Sequence, residues 1–134
     1  MVNWLSVLGT ALAGFLLGWI WYGPLFGKQW MKLMKISKKD MQKAKKKSMV
    51  TPMVGGFLAT VVMAYVLDTF VRLVAATTFV EGAILGFWLW LGFVATVLLG
   101  KVLWENKSFS LYLIDSLHYL AVLGLMGGLL AVWI

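Results

Sequence analysis

The chain has no cysteine, and this absence excludes disulfides, thiolate metal sites and cysteine nucleophiles. It has a single histidine, so the two-histidine patterns of common zinc enzymes are excluded too. Only 13% of its 134 residues are charged, against about 25% in an average soluble domain. Hydrolase signatures and phosphate-binding loops are also missing. We therefore expect no enzyme activity, no catalytic residue, no metal and no cofactor.

Apolar residues are what the sequence has in excess, at 62% of the chain. A domain this small has too little interior to hide that much apolar surface from water. Charge is absent from four runs, residues 1–27, 48–67, 82–100 and 119–134. Each run approaches or passes the length at which a membrane-crossing helix is the preferred interpretation. The pattern predicts an all-α membrane protein, a single domain over 1–134, with a compact bundle of four transmembrane helices. The predicted spans are about 3–23, 50–71, 80–103 and 110–133.

The positive charge of the chain is concentrated in the loop between the first two spans. Residues 28–47 carry nine lysines and one aspartate. A basic run can indicate nucleic-acid binding, but lysines in a short loop between spans usually mark the cytoplasmic side of a membrane. We favour the second interpretation and expect no nucleic-acid partner. It predicts a multi-pass protein of the inner or plasma membrane of a prokaryote, with both termini outside.

The segment WYGPLFGKQW joins the first span to this basic loop. Pro24 cannot donate to a helix and biases Gly23 out of helical geometry, which predicts a turn there. Phe26 and Trp30 then recur at helical spacing, which predicts a short amphipathic helix in the membrane interface. We call this segment the elbow; its residues of interest are Trp21, Tyr22, Gly23, Pro24, Phe26, Gly27 and Trp30. The lysines expected to contact anionic headgroups are Lys28, Lys32 and Lys35.

Small residues recur at every fourth position in all four spans, and such ridges let helix backbones approach closely in lipid. They predict tight packing, either within one chain or between copies in a homo-oligomer. The ridges are Gly14 with Gly18, Gly56 with Thr60 and Ala64, Gly82 with Gly86, Gly92 with Thr96 and Gly100, and Gly124 with Gly128.

The third span has a predicted start and two unplaced tryptophans. Thr78 and Glu81 have the spacing of a capping box, which predicts that a helix begins between them. Trp88 and Trp90 lie too deep for the belt of aromatic residues at a membrane surface. They either face lipid as bulk or form the wall of an internal pocket, and we favour bulk because large apolar residues routinely cover helix surfaces.

The fourth span carries the polar residues that are most costly in lipid, Tyr112, Asp115, His118 and Tyr119. Helical spacing places Tyr112 and His118 on the stripe of Asp115, and Tyr119 is also within reach of it. A carboxylate at this depth needs water or a partner. One hypothesis is a proton-sensitive or ion-binding site formed by Asp115 and His118. The favoured alternative is a hydrogen bond from Asp115 to the histidine, a tyrosine or a loop amide that locks the helices together.

Four pieces of the chain carry a family likeness: NWLSVL (3–8), WYGPLFGKQWMKLM (21–34), GFWLWLGFVATVLL (86–99) and LYLIDSLHYLAVLGLMGGLLAVW (111–133). They resemble the small bacterial membrane proteins grouped as domain of unknown function family 1761. The resemblance implies a compact four-helix integral membrane protein, and it implies no activity.

Two functions are consistent with these features. The first is a structural or accessory membrane protein that binds lipid or another protein, with the lysine loop as a contact surface for anionic headgroups. The alternative is a small homo-oligomeric transporter or channel with a polar Asp/His site on the fourth helix. A transporter should carry charges at mid-membrane on several helices. This chain has one polar cluster near one side, and we therefore expect the first function.

Overall fold

The structure is a computed structural model that describes residues 2–46 and 48–133, and the regular structure in these residues is helical throughout. The helices are α1 Trp4–Ile20, α2 Gly27–Leu33, α3 Lys38–Lys46, α4 Val50–Leu73, α5 Phe79–Trp90, α6 Thr96–Leu98, α7 Gly100–Leu103 and α8 Phe109–Val132. Two wider π-helical turns, Trp21–Leu25 and Leu91–Ala95, extend α1 and connect α5 to α6.

Four helical stretches of the described chain are long and apolar enough to cross a membrane, namely Trp4–Leu25, Val50–Leu73, Phe79–Leu103 and Phe109–Val132. Their ends lie within two residues of the predicted spans. The all-α prediction and the four spans are confirmed. The short helix predicted after the elbow is α2. A further short helix, α3, lies in the lysine-rich loop, and Lys47 lies outside the described residues.

Helix α8 is the centre of the bundle, because it packs against α1, α4 and α5 while α4 and α5 contact each other little. The core lies in the half of the bundle away from the lysines. Its fully buried members come from three helices: Val7 and Ala11 of α1, Ala64 of α4, and Met126 of α8. Outward-facing side chains on the spans are mostly apolar and exposed, as lipid-facing residues are.

Glycines set the closest contact, between α5 and α8. A Cβ built at Gly82 would overlap the backbone carbonyl of Gly127, and a Cβ at Gly127 would overlap that of Gly82. Gly86 meets the backbone of α8 in the same way, at Leu123. Since each helix presents bare backbone to the other, side chains cannot hold the two apart. This ridge packs within one chain.

The other ridges do not all behave alike. Gly14 and Gly18 face Met126 and His118 of α8, so the α1 ridge also packs within the chain. On α8, nothing lies within 4 Å of a Cβ built at Gly124, whereas a Cβ built at Gly128 would overlap the Phe79 ring. The closest backbone contact is at Gly127, between these two glycines of the expected ridge. The third-span ridge at Gly92 is exposed and has no partner in the described chain.

The spans define two ends of the bundle. We call the end that carries 26–49 and 104–108 the lysine face, and the end that carries 74–78 the opposite face. Asp68 lies near the opposite face, and its Oδ2 is 3.1 Å from Nη2 of Arg72, one turn further along α4. Thr78 accepts from the backbone N–H of Glu81, so the predicted helix start is confirmed. The Glu81 carboxylate accepts from the Thr78 hydroxyl rather than from the backbone N–H that a full capping box uses.

The elbow turns later than its proline predicts. Gly23 and Pro24 stay inside the π-helical turn, and the backbone N–H of Phe26 donates to the carbonyl of Trp21 at 2.8 Å. The prediction of a turn at Gly23 was wrong, because the wider turn accommodates the missing proline donor without ending the helix. The chain leaves helical geometry at Phe26, where φ is −125° and ψ is 7°.

Helix α2, which begins within the elbow at Gly27, is amphipathic, as predicted. Gly27 is buried, because a Cβ there would overlap the carbonyl of Tyr22, while Trp30 is half-buried on the same helix. The three lysines assigned to headgroup contact are exposed: Lys28, Lys32 and Lys35.

Helix α3 is capped by two reciprocal hydrogen bonds. The Ser37 backbone N–H donates to the Asp40 carboxylate, and the Asp40 backbone N–H donates to the Ser37 hydroxyl oxygen, each at 3.1 Å. The hydrogen bonds from the Ser37 backbone and side chain hold the pKa of the Asp40 carboxyl below its usual value of 3.8.

Candidate functional site

The polar residues of α8 meet the elbow at the lysine face. The Tyr22 hydroxyl donates to Oδ1 of Asp115 at 2.6 Å, and this bond joins the end of α1 to α8. It is the one side-chain hydrogen bond of Asp115 within residues 2–46 and 48–133. The carboxylate therefore has the tyrosine partner that the interhelical interpretation allowed, and Tyr22 lies in the elbow rather than on α8.

His118 lies one turn deeper and does not bond Asp115. Its ring packs edge-on against Tyr22 and Tyr119, with centroids 4.9 and 4.8 Å away. A Cβ built at Gly18 would lie 3.1 Å from Nε2, so the small residue on α1 makes room for the imidazole. Both ring nitrogens are buried, and neither has a hydrogen-bond partner in the described chain. A neutral imidazole always has one N–H to donate, so this ring has a hydrogen bond to offer.

Tyr112 does not join Asp115 as the predicted stripe implied. Its hydroxyl donates at 2.9 Å to the backbone carbonyl of Ala95. Tyr112 thus contacts the third span and is not a member of the Asp115 cluster. The carbonyl it meets lies in the second π-helical turn. Such wider turns disturb the regular helical ladder, which leaves carbonyls available to outside donors.

Two tryptophan indoles bind the backbone of α8 on either side of Asp115. Trp21 Nε1 donates to the carbonyl of Ile114 at 3.0 Å, and Trp90 Nε1 donates to that of Ser116 at 2.7 Å. The interpretation of Trp90 as lipid-facing bulk was wrong, because the indole N–H finds its acceptor in the bundle. Trp88 is 62% exposed and does face outward as bulk.

Two grooves open beside this cluster, each with a volume of about 530 Å³. The α1–α4 groove lies between the lysine-face halves of α1 and α4 and reaches α8; its lining includes Phe15, Gly18, Gly56, Thr60, Met63 and His118. The elbow groove lies between the elbow, α2 and α7; its lining includes Gly27, Trp30, Met31, Met34, Lys101 and Asp115. Tyr22 and Tyr119 line both grooves and so form the wall between them.

This arrangement can bind a ligand more readily than it can transform one. The described part of the chain contains no group of three histidine, aspartate or glutamate side chains that could hold a metal ion. It offers instead an anionic oxygen, an uncommitted imidazole and several aromatic rings, all in the half of the bundle next to the lysine face. Such a mixture of apolar walls and a few polar groups is typical of small-molecule and lipid sites.

Sequence reasoning placed Asp115, His118 and Tyr119 near one another but missed the two indole donors and the role of Tyr22. The available signal was chemical. A tryptophan N–H or a tyrosine O–H inside a bundle needs an acceptor, and the carbonyls of a neighbouring helix are the nearest ones. The sequence shows the donors but not which helix supplies the acceptor.

Four membrane-length helices joined by short connections and a lysine-rich loop define a multi-pass membrane protein. The particular family follows from comparison with known sequences: a family model described as protein of unknown function (DUF1761) matches residues 5–131. The chain belongs to that family, as its resemblance implied. No curated protein and no solved structure matches it.

Proposed function

We propose that this chain is an accessory membrane protein, not an enzyme, that binds lipid in the leaflet next to its lysine face. The observation that carries the proposal is the α1–α4 groove. It is lined by residues of two neighbouring spans and of α8, at depths where the hydrocarbon of a bilayer would be. At about 530 Å³ it falls within the range of known ligand sites, roughly 300–1,000 Å³.

Small residues make this groove. Gly18 and Gly56 leave its two sides without side chains, while Phe15 and Met63 give it apolar walls. A Cβ built at Gly56 would lie 3.5 Å from the Phe15 ring, an ordinary contact distance, so the glycine and the ring face each other across the groove. An acyl chain is the occupant that suits an apolar groove facing lipid.

The lysine segment supports binding of the same leaflet by charge. Lys28, Lys32 and Lys35 are exposed beside the elbow, and each basic residue near an anionic surface contributes about 1 kcal/mol. We propose that this loop is cytoplasmic, with both termini outside, in the inner or plasma membrane of a prokaryote, because short lysine-rich loops remain on the cytoplasmic side. Nucleic acid is not a proposed partner.

The test places a side chain in the groove from its glycine wall. Gly56→Leu places a branched side chain in the α1–α4 groove, whereas Gly55→Leu places it on the neighbouring exposed position, where nothing lies within 4 Å. Both variants change helix propensity equally. Native mass spectrometry after release from nanodiscs of bacterial-type lipid should show bound lipid on wild type and Gly55→Leu, and less on Gly56→Leu. Equal lipid on both variants would remove the groove as the site.

A second candidate function is transport by a homo-oligomer, and the observation that favours it is that the two grooves reach Asp115 and His118. The exposed ridge at Gly92 offers a face for a second copy. Against transport, Gly14 packs on Val122 and Met126, so apolar contact fills the bundle between His118 and the buried Thr10 hydroxyl. That gap is about 12 Å along α1.

Ion flux separates the two functions. Liposomes containing wild type should show the same background proton and ion leak as liposomes containing Asp115→Asn, if the protein does not transport. A leak that depends on wild-type protein and disappears in the variant would support the transporter instead.

A further inference from the structure

A further cavity, which we call the opposite-face cavity, lies between α1, α4 and α8 at the end of the bundle away from the lysines. Its volume is about 310 Å³, within the range of known ligand sites, roughly 300–1,000 Å³. Among the described residues that line it, only Asp68 and Arg72 are charged. Their charges cancel, so the cavity suits a ligand without net charge.

The acidic side of this cavity is a buried carboxylate. Asp68 is only 7% exposed and lies five residues before the end of α4, about 7–8 Å into the span. Its Oδ2 is buried against Arg72, with Nη2 at 3.1 Å, while Oδ1 accepts no hydrogen bond from the described residues. A carboxylate removed from water is stabilised by each donor that it gains. Asp68 is therefore suited to accept from a cationic group of a ligand.

The basic side of the cavity is more exposed than the acidic side. The Arg72 side chain is 45% exposed and lies one turn nearer the opposite face. A guanidinium has five N–H donors in a planar fork, and Nη2 is the nitrogen that faces Asp68. The other donors can bind a carboxylate. The side-chain oxygen of Asn3 caps α1, which leaves the amide N–H groups of Asn3 as a second set of donors at the cavity.

The order of the two charges excludes a phospholipid and allows a small soluble zwitterion. In a phospholipid the phosphate lies between the acyl chains and the ammonium, so the ammonium cannot be the deeper charge. Here the acidic group is deeper than the basic one. A soluble zwitterion that enters ammonium first meets Asp68 with its cation and Arg72 with its anion.

We infer that the opposite-face cavity binds a free α-amino acid with an apolar side chain. The ammonium and the carboxylate of such a ligand are attached to one carbon, and the charges of the Asp68–Arg72 pair are likewise adjacent, 3.1 Å apart. The ligand lies antiparallel to the pair, so that each of its charges faces the opposite one. Its side chain packs on the apolar part of the lining, which includes Val71, Leu130 and Trp133. This site is separate from the α1–α4 groove and goes beyond the proposed function.

The experiment uses the full chain in nanodiscs and leucine as the probe, with binding measured by isothermal titration calorimetry. Wild type should bind leucine saturably. N-acetylleucine lacks the ammonium and leucinamide lacks the carboxylate, so each should bind at least about tenfold more weakly, the effect of one charge-assisted hydrogen bond.

Variants locate the site. Asp68→Asn and Arg72→Gln should each weaken leucine binding by about tenfold or more. Glu81→Gln, which changes an exposed carboxylate near the same face but outside the cavity, should leave it unchanged. Retention of lipid by Asp68→Asn at the wild-type level would show that the variant is folded.

Several results would overturn the inference. Wild type that binds no leucine would remove the site, and the analogues test it without any variant. Equal binding of N-acetylleucine or of leucinamide would refute the assigned contact with Asp68 or Arg72, respectively. Unchanged leucine binding in both Asp68→Asn and Arg72→Gln would place the ligand elsewhere. Lipid retention in the α1–α4 groove is measured separately, so failure here leaves the proposed function standing.

Discussion

Replacing a single glycine of α8 should reveal how much its close contact with α5 contributes to the stability of the bundle. Gly127→Ala adds a Cβ that overlaps the backbone carbonyl of Gly82, so α5 and α8 must separate. Gly124→Ala adds the same atom on the same helix, one turn earlier, where nothing lies within 4 Å. The two variants form a matched pair that differs in packing.

The expected difference in the free energy of unfolding between the two variants follows from two opposing contributions. Alanine in place of glycine favours a helix by up to about 1 kcal/mol, and this gain is common to both variants. Overpacking a tight contact costs about 1–3 kcal/mol, and only Gly127→Ala incurs it. The free energy of unfolding of Gly127→Ala should therefore fall about 1–3 kcal/mol below that of Gly124→Ala.

Unfolding by sodium dodecyl sulfate in mixed micelles, followed by circular dichroism and tryptophan fluorescence, measures this difference. Adding Gly82→Ala to Gly127→Ala should cost less than the sum of the two single changes, because one separation of the helices relieves both overlaps. Equal stability of Gly127→Ala and Gly124→Ala would contradict the close backbone contact between α5 and α8.

Three further predictions test other local features. Ala75 has φ of +57°, a left-handed conformation that glycine adopts without strain, so Ala75→Gly should raise the free energy of unfolding by about 0.5–1 kcal/mol in the same assay. Tyr22→Phe removes the 2.6 Å hydrogen bond to Asp115 and should lower the unfolding free energy by about 1–2 kcal/mol, with little change in Tyr119→Phe, which makes no hydrogen bond in the described chain. The pKa of Asp40 is lowered in the folded helix, so its stabilisation of α3 is present above the unfolded value and is lost as pH falls through the folded one. The helical chemical shifts of α3 in NMR spectra should weaken below about pH 4, and Asp40→Asn should remove that dependence.

The sequence was sufficient for the spans, because lipid demands about twenty uncharged residues and a helix satisfies its own backbone. Local signals were also reliable where both partners are near in sequence, as for Thr78 and Glu81. What could not be predicted depends on how helices face one another. The hydrogen bonds of Trp90 and Tyr22 could not be predicted, because helical spacing alone does not show which atoms of α8 accept them. The turn at Phe26 was missed because a π-helical turn has no reliable sequence signal.

The central position of α8 has a consequence for how the protein is made. Spans enter a membrane in chain order, and α8 is the last of the four described here. Until it is inserted, α5 has little to pack against, because its contact with α4 is slight. Asp115 also enters the bilayer last, when Tyr22 is already present to receive it. Assembly of the full bundle therefore depends on the final span, because α1 and α4 pack against each other without α8 but α5 does not.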